Sequence, residues 1–115
     1  MVGLPPKLAA AALVALFMTA ASPSHAETIT PIAEADRGAA VTVRGAVARV
    51  LDYDEIRLAD ASGDIVVYLG PGAPAFSTGE QLTIRGRIDD DWPRELYARE
   101  IVRANGDVVA LRQEY

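Results

Sequence analysis

Val41-Thr42-Val43-Arg44-Gly45 and Leu82-Thr83-Ile84-Arg85-Gly86 share one pattern: apolar, Thr, β-branched, Arg, Gly. Each alternates apolar with polar residues, the period-two signature of a half-buried strand. Two accounts fit the echo. Any alternating strand looks much like another, or both strands need a hinge at one level because each bends sharply into a closed sheet. The surroundings are consistent with the second account. The first strand continues through Arg49-Val50-Leu51, where the parity of its apolar positions slips, as a bulge would make it do.

Working outward, Asp52-Tyr53-Asp54 reads as a turn and Ile56 to Asp60 as a short second strand. Ala61-Ser62-Gly63-Asp64 is a hairpin turn, and Ile65-Val66-Val67-Tyr68-Leu69 is apolar enough for a central strand. Gly70-Pro71-Gly72-Ala73-Pro74 cannot continue a sheet. It leads into Ala75 to Glu80, where one helical turn across the barrel end is expected. Gln81 to Ile88 is the next strand, Asp89-Asp90-Asp91-Trp92-Pro93-Arg94 a turn, and Glu95 to Arg103 the fifth strand. Asn105-Gly106-Asp107 signals a tight turn before a short closing strand from Val108 to Leu111. Pro31 to Asp36 is expected to form a short N-terminal helix. Five strands with two glycine hinges and a long connection after the third predict an all-β, five-stranded Greek-key barrel, the OB-fold.

Ahead of this domain, Lys7 is the only charge before a run from Leu8 to Ala21 whose sole polar residue is Thr19. Pro23 breaks the run, and Ser24-His25-Ala26 sets small residues at the −3 and −1 positions of a cut before Glu27. A basic start, a greasy centre and a small-residue exit are the parts of a secretory signal peptide. As an anchor the run of roughly 14 residues falls short of the ~20 that a bilayer requires. The expected organisation is therefore a leader over 1–26, an OB-fold domain over 27–115, export to a bacterial periplasm, and no stable membrane span after cleavage.

Removing the leader takes away Lys7 and no acid, leaving ten Arg against sixteen Asp and Glu and a net charge of about −6. Such a domain repels phosphate backbones, which disfavours nucleic acid as a partner. The chain has no Cys, and its one His, His25, lies in the leader. Disulfides, thiolate zinc sites, thiol nucleophiles and His-based triads are therefore unavailable to the domain. The remaining carboxylates cluster in turns, where nothing obvious raises a pKa. We expect a binding protein, not an enzyme, with no catalytic residues and no cofactor beyond a weakly held divalent cation.

The order of these pieces resembles the bacterial OB-fold (BOF) family, the YgiW/YdeI periplasmic stress-tolerance proteins. The resembling residues are Val41 to Val47, Leu58 to Tyr68, and Gly79 to Ile101, the last with its hinge strand, Asp-rich turn and acidic-apolar strand. The resemblance implies an export signal, an OB barrel, no known enzymatic activity and a role in envelope or chemical stress tolerance. It implies no particular ligand. This chain departs from the family's pattern in a shorter N-terminal helix and a tail from Asn105 to Tyr115.

Two surfaces could bind. In an OB barrel the loops after the first and fourth strands flank one face. Here they hold Asp52, Tyr53, Asp54 and Glu55, and Asp89, Asp90, Asp91 and Trp92. Asp52, Asp54, Asp89 and Asp91 could hold a weak cation, and Trp92 and Tyr53 could offer cation–π faces to a small cationic ligand or envelope component. The competing account is that acids form turns and keep the domain dissolved. The second surface is the outer strand face, where Arg44, Arg57, Tyr68, Arg85, Arg87, Tyr97 and Arg99 should point outward. It could dock a protein or peptidoglycan, or, as a third reading, stack and fork onto a single-stranded nucleic acid, or its arginines could simply pair with Glu95, Glu100 and Asp60 across strands. A monomer is expected.

Overall fold

The alternation along the chain becomes six strands in the computed structural model, which describes residues 27–112. They are β1 (Ala40–Asp52), β2 (Glu55–Asp60), β3 (Gly63–Tyr68), β4 (Gln81–Ile88), β5 (Glu95–Arg103) and β6 (Val108–Ala110). Their order in the sheet is β3-β2-β1-β4-β5-β6, with a further pairing of β3 to β5. That last pairing is parallel, setting Val66 beside Glu95, Val67 beside Leu96 and Tyr68 beside Tyr97. It joins the two flanks of the sheet, so β1 to β5 close into a barrel with OB topology. The leader expected over 1–26 lies outside the described residues. Among the described residues no helix is long and apolar enough to cross a membrane.

Closure requires β1 and β4 to coil tightly, and the two echoed glycines stand where they do so. A Cβ on Gly45 would run into the Ala59 carbonyl of β2, with the carbonyl carbon at 2.9 Å. A Cβ on Gly86 would strike the Tyr97 carbonyl of β5, again with the carbon at 2.9 Å. Real side chains do not approach backbone so closely, so only glycine lets these strands cross. The ladders slip at the same places. The β1–β2 register shifts between Val47 and Arg49 and again between Val50 and Asp52, and the β4–β5 register shifts between Arg85 and Gly86. The parity slip in the first strand is thus a bulge that re-aims β1 from one partner to the next.

Alternate residues of the five barrel strands fill the interior. Val43, Val47, Ile56, Leu58, Ile65, Val67, Leu82, Ile84, Ile88, Leu96, Ala98 and Ile101 are all buried. Among the described residues no polar or charged side chain is buried with them. Whatever chemistry the domain performs therefore lies on its outer surface.

Three local expectations need correction. The short strand β6 does not close the barrel; it pairs antiparallel with β5 alone, Ile101 opposite Val109, because β3 already occupies the closing position. Residues 75–80 make no helical turn. Phe76 is drawn into the core with the Arg103 guanidinium 4.5 Å from its ring centre, and the chain then turns at Gly79 with φ +91°. The N-terminal helix contracts to a single 3₁₀ turn, Ile32–Glu34. Ile32 is fully buried as a plug, and its backbone is claimed from both sides. Asp60 Oδ2 accepts from Ile32 N at 2.9 Å, while Arg94 Nη1 donates to the carbonyls of Ile32 at 2.8 Å and Ala35 at 2.6 Å. Arg94 holds the carbonyls of Ile32 and Ala35, and Ala35 is already extended at φ −75° and ψ 115°, so the turn ends there.

Two outcomes test this account. Gly86→Ala forces a methyl into the Tyr97 backbone and should destabilise the domain by about 2–3 kcal/mol in chemical denaturation, with Gly45→Ala of similar size. Asp60→Ala removes the acceptor for Ile32 N, Ser62 N (2.7 Å), Ser62 Oγ (2.6 Å) and Gly63 N (3.1 Å), and should cost about 1–3 kcal/mol at neutral pH. Partial burial pushes the Asp60 carboxyl up, but the bonds from Ser62, Ile32 and Gly63 outweigh it and hold the pKa below 3.8. The contribution is therefore present above the unfolded-state value and lost as pH falls through the folded one, so wild type and Asp60→Ala should converge in acid.

Candidate functional site

The parallel pairing that closes the barrel also builds its most distinctive outer surface. Val66 and Tyr68 of β3 and Glu95 and Tyr97 of β5 alternate with buried neighbours, so all four face outward. Because Tyr68 and Tyr97 are register partners, their rings meet edge to face, centroids 5.7 Å apart at 84°. Such a pair presents one rigid aromatic platform. Glu55 of β2 is the partner of Tyr68 on the other side, and Arg87 of β4 is the partner of Tyr97.

Acids converge on this platform. Asp89 N donates to the Glu95 carbonyl at 2.8 Å, which brings the first residue of the β4–β5 bend level with Glu95. Tyr97 OH donates to Asp89 Oδ2 at 3.3 Å. Burial, then the neighbouring charges of Glu55 and Asp89, push the Glu95 carboxyl above its ordinary range. Burial and the charges of Asp89, Glu95 and Asp91 likewise push the Tyr97 phenol up. Among the described residues no ion pair relieves Glu55, Asp89 or Glu95. The surface is half-buried, aromatic and negatively charged.

The residues expected from the sequence are distributed unevenly around it. Tyr68 and Asp89 belong to the platform. The tips of the two bends do not meet, and the register says why. In the antiparallel β2–β3 pair, the chain before Glu55 runs on past Tyr68, and Asp54 O accepts from Leu69 N at 2.7 Å. In the parallel β3–β5 pair, the chain before Glu95 runs the other way, toward the start of β3. Asp52, Tyr53 and Asp54 therefore point away from Asp90, Asp91 and Trp92. Asp52 Oδ1 accepts from Tyr53 N at 2.7 Å and Asp89 Oδ1 from Asp91 N at 3.2 Å, so both spend an oxygen on their own turn. Among the described residues no group of three or more His, Cys, Asp or Glu could hold a metal ion, and Asp52, Asp54, Asp89 and Asp91 form no such set. Tyr53 and Trp92 are exposed, and Trp92, joined to Pro93 by a cis bond, lies 5.8 Å beneath the Arg37 guanidinium. An internal cation thus already sits on the Trp92 ring.

The outer arginines point outward as their parity requires, and several are paired. Arg57 meets Asp64 at 3.0 Å, and Arg85 pairs with Glu27 and Glu100. Arg44 Nε donates to Thr83 Oγ1 at 3.2 Å, and Arg87 Nη1 to the Gly38 carbonyl at 2.8 Å. Of the acids expected to pair with them across strands, Glu100 does so. Asp60 instead holds the 3₁₀ turn, and Glu95 faces other acids. Sequence reasoning puts Tyr97 on the outer face and offers Glu95 an arginine partner, but sets neither beside Tyr68 and Asp89. Their outward parity was legible, but the neighbours that give them meaning come from a parallel contact between strands far apart in the chain.

No protein-family model and no curated protein matches this sequence. Solved structures do. The hypothetical protein ygiW from E. coli superposes with a TM-score of 0.59 at 20% identity, over 75% of this chain and 100% of that one. An OBody bound to hen egg-white lysozyme superposes with a TM-score of 0.55 at 22% identity, over 77% of this chain and 99% of that one. Barrel order, closure and these likenesses agree, and the described chain has the OB fold of the ygiW protein.

Proposed function

We propose that this chain is an exported binding module of the YgiW type that takes a cationic ligand on the Tyr68–Tyr97 platform. The carrying observation is the unrelieved acidic edge, with Glu55, Glu95 and Asp89 arranged around two locked aromatic rings. Like charges held together on a half-buried surface cost stability, and a bound cation removes that cost. A polyamine or the ammonium groups of an envelope component would place charge over the ring faces and between the carboxylates. Arg37 over Trp92 is an internal instance of the same contact at the neighbouring bend. The signal-peptide pattern of residues 1–26 and the motif resemblance support export and a role in envelope stress tolerance. The OBody neighbour, a protein of this fold bound to lysozyme, supports binding as the work of such a barrel. The absence of His and Cys from the domain argues against catalysis.

Titration with spermidine, followed by Trp92 emission and by calorimetry, should show saturable binding that fades toward 1 M salt as the Debye length shrinks to about 3 Å. Tyr97→Ala should weaken it about tenfold, the loss of one cation–π contact and the order it imposes. A flat titration, or unaltered affinity in Tyr97→Ala, removes this reading.

The acidic edge also makes a prediction about stability. The folded-state pKa of Glu95 is raised above 4.5, so ionising this side chain opposes folding. The penalty is absent below the unfolded-state value and complete above the folded one. Glu95→Gln should therefore stabilise the free protein at pH 7 by about 0.5 kcal/mol. The gain should disappear in denaturation curves recorded below about pH 4.

A further inference from the structure

A second surface, of opposite charge, lies on the outer face of β1 and β4. Thr42 and Arg85 are cross-strand partners, so their side chains stand together, and Glu100 of β5 flanks Arg85 on the far side. Glu27 rests on this pair. Its Oε2 accepts from Arg85 Nε at 2.6 Å and its Oε1 from Arg85 Nη2 at 2.7 Å, the two parallel bonds of a guanidinium–carboxylate fork. Thr42 Oγ1 donates a third bond to Oε2 at 2.8 Å. The chain that follows lies along β1, with Thr30 N donating to the Thr42 carbonyl at 2.8 Å. It can do so because β2 pairs with β1 only from Ala46 onward, which leaves the Ala40–Gly45 edge uncovered by β2. Beside this segment runs an open groove of about 540 Å³, walled by Thr28, Thr30, Arg85, Arg87 and Arg99.

We propose that this groove binds an extended acidic peptide, and that the chain's own Glu27–Thr30 occupies part of it in cis. The segment already shows the mode of recognition: a backbone bond to an open strand edge, and an acidic side chain anchored in a fork. It is held at the surface. The Glu27 and Arg85 side chains are 36% and 39% exposed, so a competing carboxylate in solution has access to the fork. Arg85 and Thr42, with Arg44 adding its charge, hold the Glu27 carboxyl down at about pKa 2, so the fork receives a full carboxylate at any physiological pH. This clip is exposed and borders the groove beside Arg85 and Arg87. A peptide with several carboxylates could displace Glu27 from Arg85 and reach Arg87 as well. The ligand is the charge opposite of the one proposed for the tyrosine platform, and Arg87, the cross-strand partner of Tyr97, borders both sites.

The test is calorimetric titration at low salt with hexaglutamate, and in a separate arm with inorganic phosphate. Glu27→Gln removes the charge that competes for the fork without altering the groove, and should bind hexaglutamate about tenfold tighter than the unsubstituted chain, because the internal competitor is weakened. Arg85→Lys keeps the charge and loses the fork, and in the Glu27→Gln background, where the internal competitor does not mask the loss, should bind about tenfold more weakly. Arg57→Gln, which breaks a similarly exposed pair elsewhere on the sheet, should leave the affinity unchanged. If Arg85→Lys fails to fold, Thr42→Val carries the same test through the third bond, with a loss of about threefold to fivefold. Equal affinity of Glu27→Gln and the unsubstituted chain overturns the proposal, as does undiminished binding by a folded Arg85→Lys or Thr42→Val in the Glu27→Gln background. Phosphate binding as tight as that of hexaglutamate overturns the peptide assignment.

Discussion

Closure of the barrel through β3 and β5 is the constraint on which everything else in this domain depends. It is a parallel contact between distant strands, and it forms only if β1 and β4 coil tightly enough to bring the flanks together. Gly45 and Gly86 permit that coil by allowing backbone carbonyls of the neighbouring strands into space that a Cβ would fill. Closure removes both edges of a five-stranded sheet, edges that would otherwise invite pairing with other chains. It also sets Tyr68 against Tyr97, and so the fold and the candidate site share one origin.

An interior without polar groups pushes every ionisable side chain to the surface, and there the charges separate by strand. The β1–β4 face concentrates arginine, met by Glu27 and Glu100. The β3–β5 strip and the adjoining bend concentrate acid, with Glu55, Asp89 and Glu95 unrelieved by any described ion pair. Separation of this kind on a barrel of one small domain is costly to stability and useful for recognition. Opposite surfaces attract opposite partners and repel the wrong ones. The ends of the barrel are treated differently. Ile32 plugs one, clamped by Asp60 and Arg94. Phe76 seals a second gap under Arg103, which itself pairs with Glu80 at 2.7 Å. At both places a charged group is used to hold an apolar residue in position, and neither has charge left over for a ligand.

Particular elements show how far the sequence could be read. The alternation in 81–88 and 95–103 placed β4 and β5 correctly, since inward and outward parity is a local property of a strand. The slip after Val47 announced its bulge for the same reason. The segment 75–80 misled, because Phe76 is buried by tertiary packing against Arg103 and no local preference for a helical turn survives that demand. The two acidic bends misled more instructively. Their composition suggested one shared mouth. Their tips diverge because one bend enters an antiparallel strand pair and the other a parallel one, so they run in opposite directions along β3.

What the amino-acid sequence determined alone was the set of strands, the face each residue takes, the two glycines that let the sheet coil, and the exclusion of thiol and imidazole chemistry from the domain. These follow from periodicity and residue chemistry over a few neighbours. Only the tertiary structure decided that Tyr68 would meet Tyr97, that Glu95 would face acids and not arginine, and that Glu27 would lie in the fork of Arg85. Each of those contacts joins residues whose separation along the chain carries no local signal. Their meeting is the geometric result of closing the barrel.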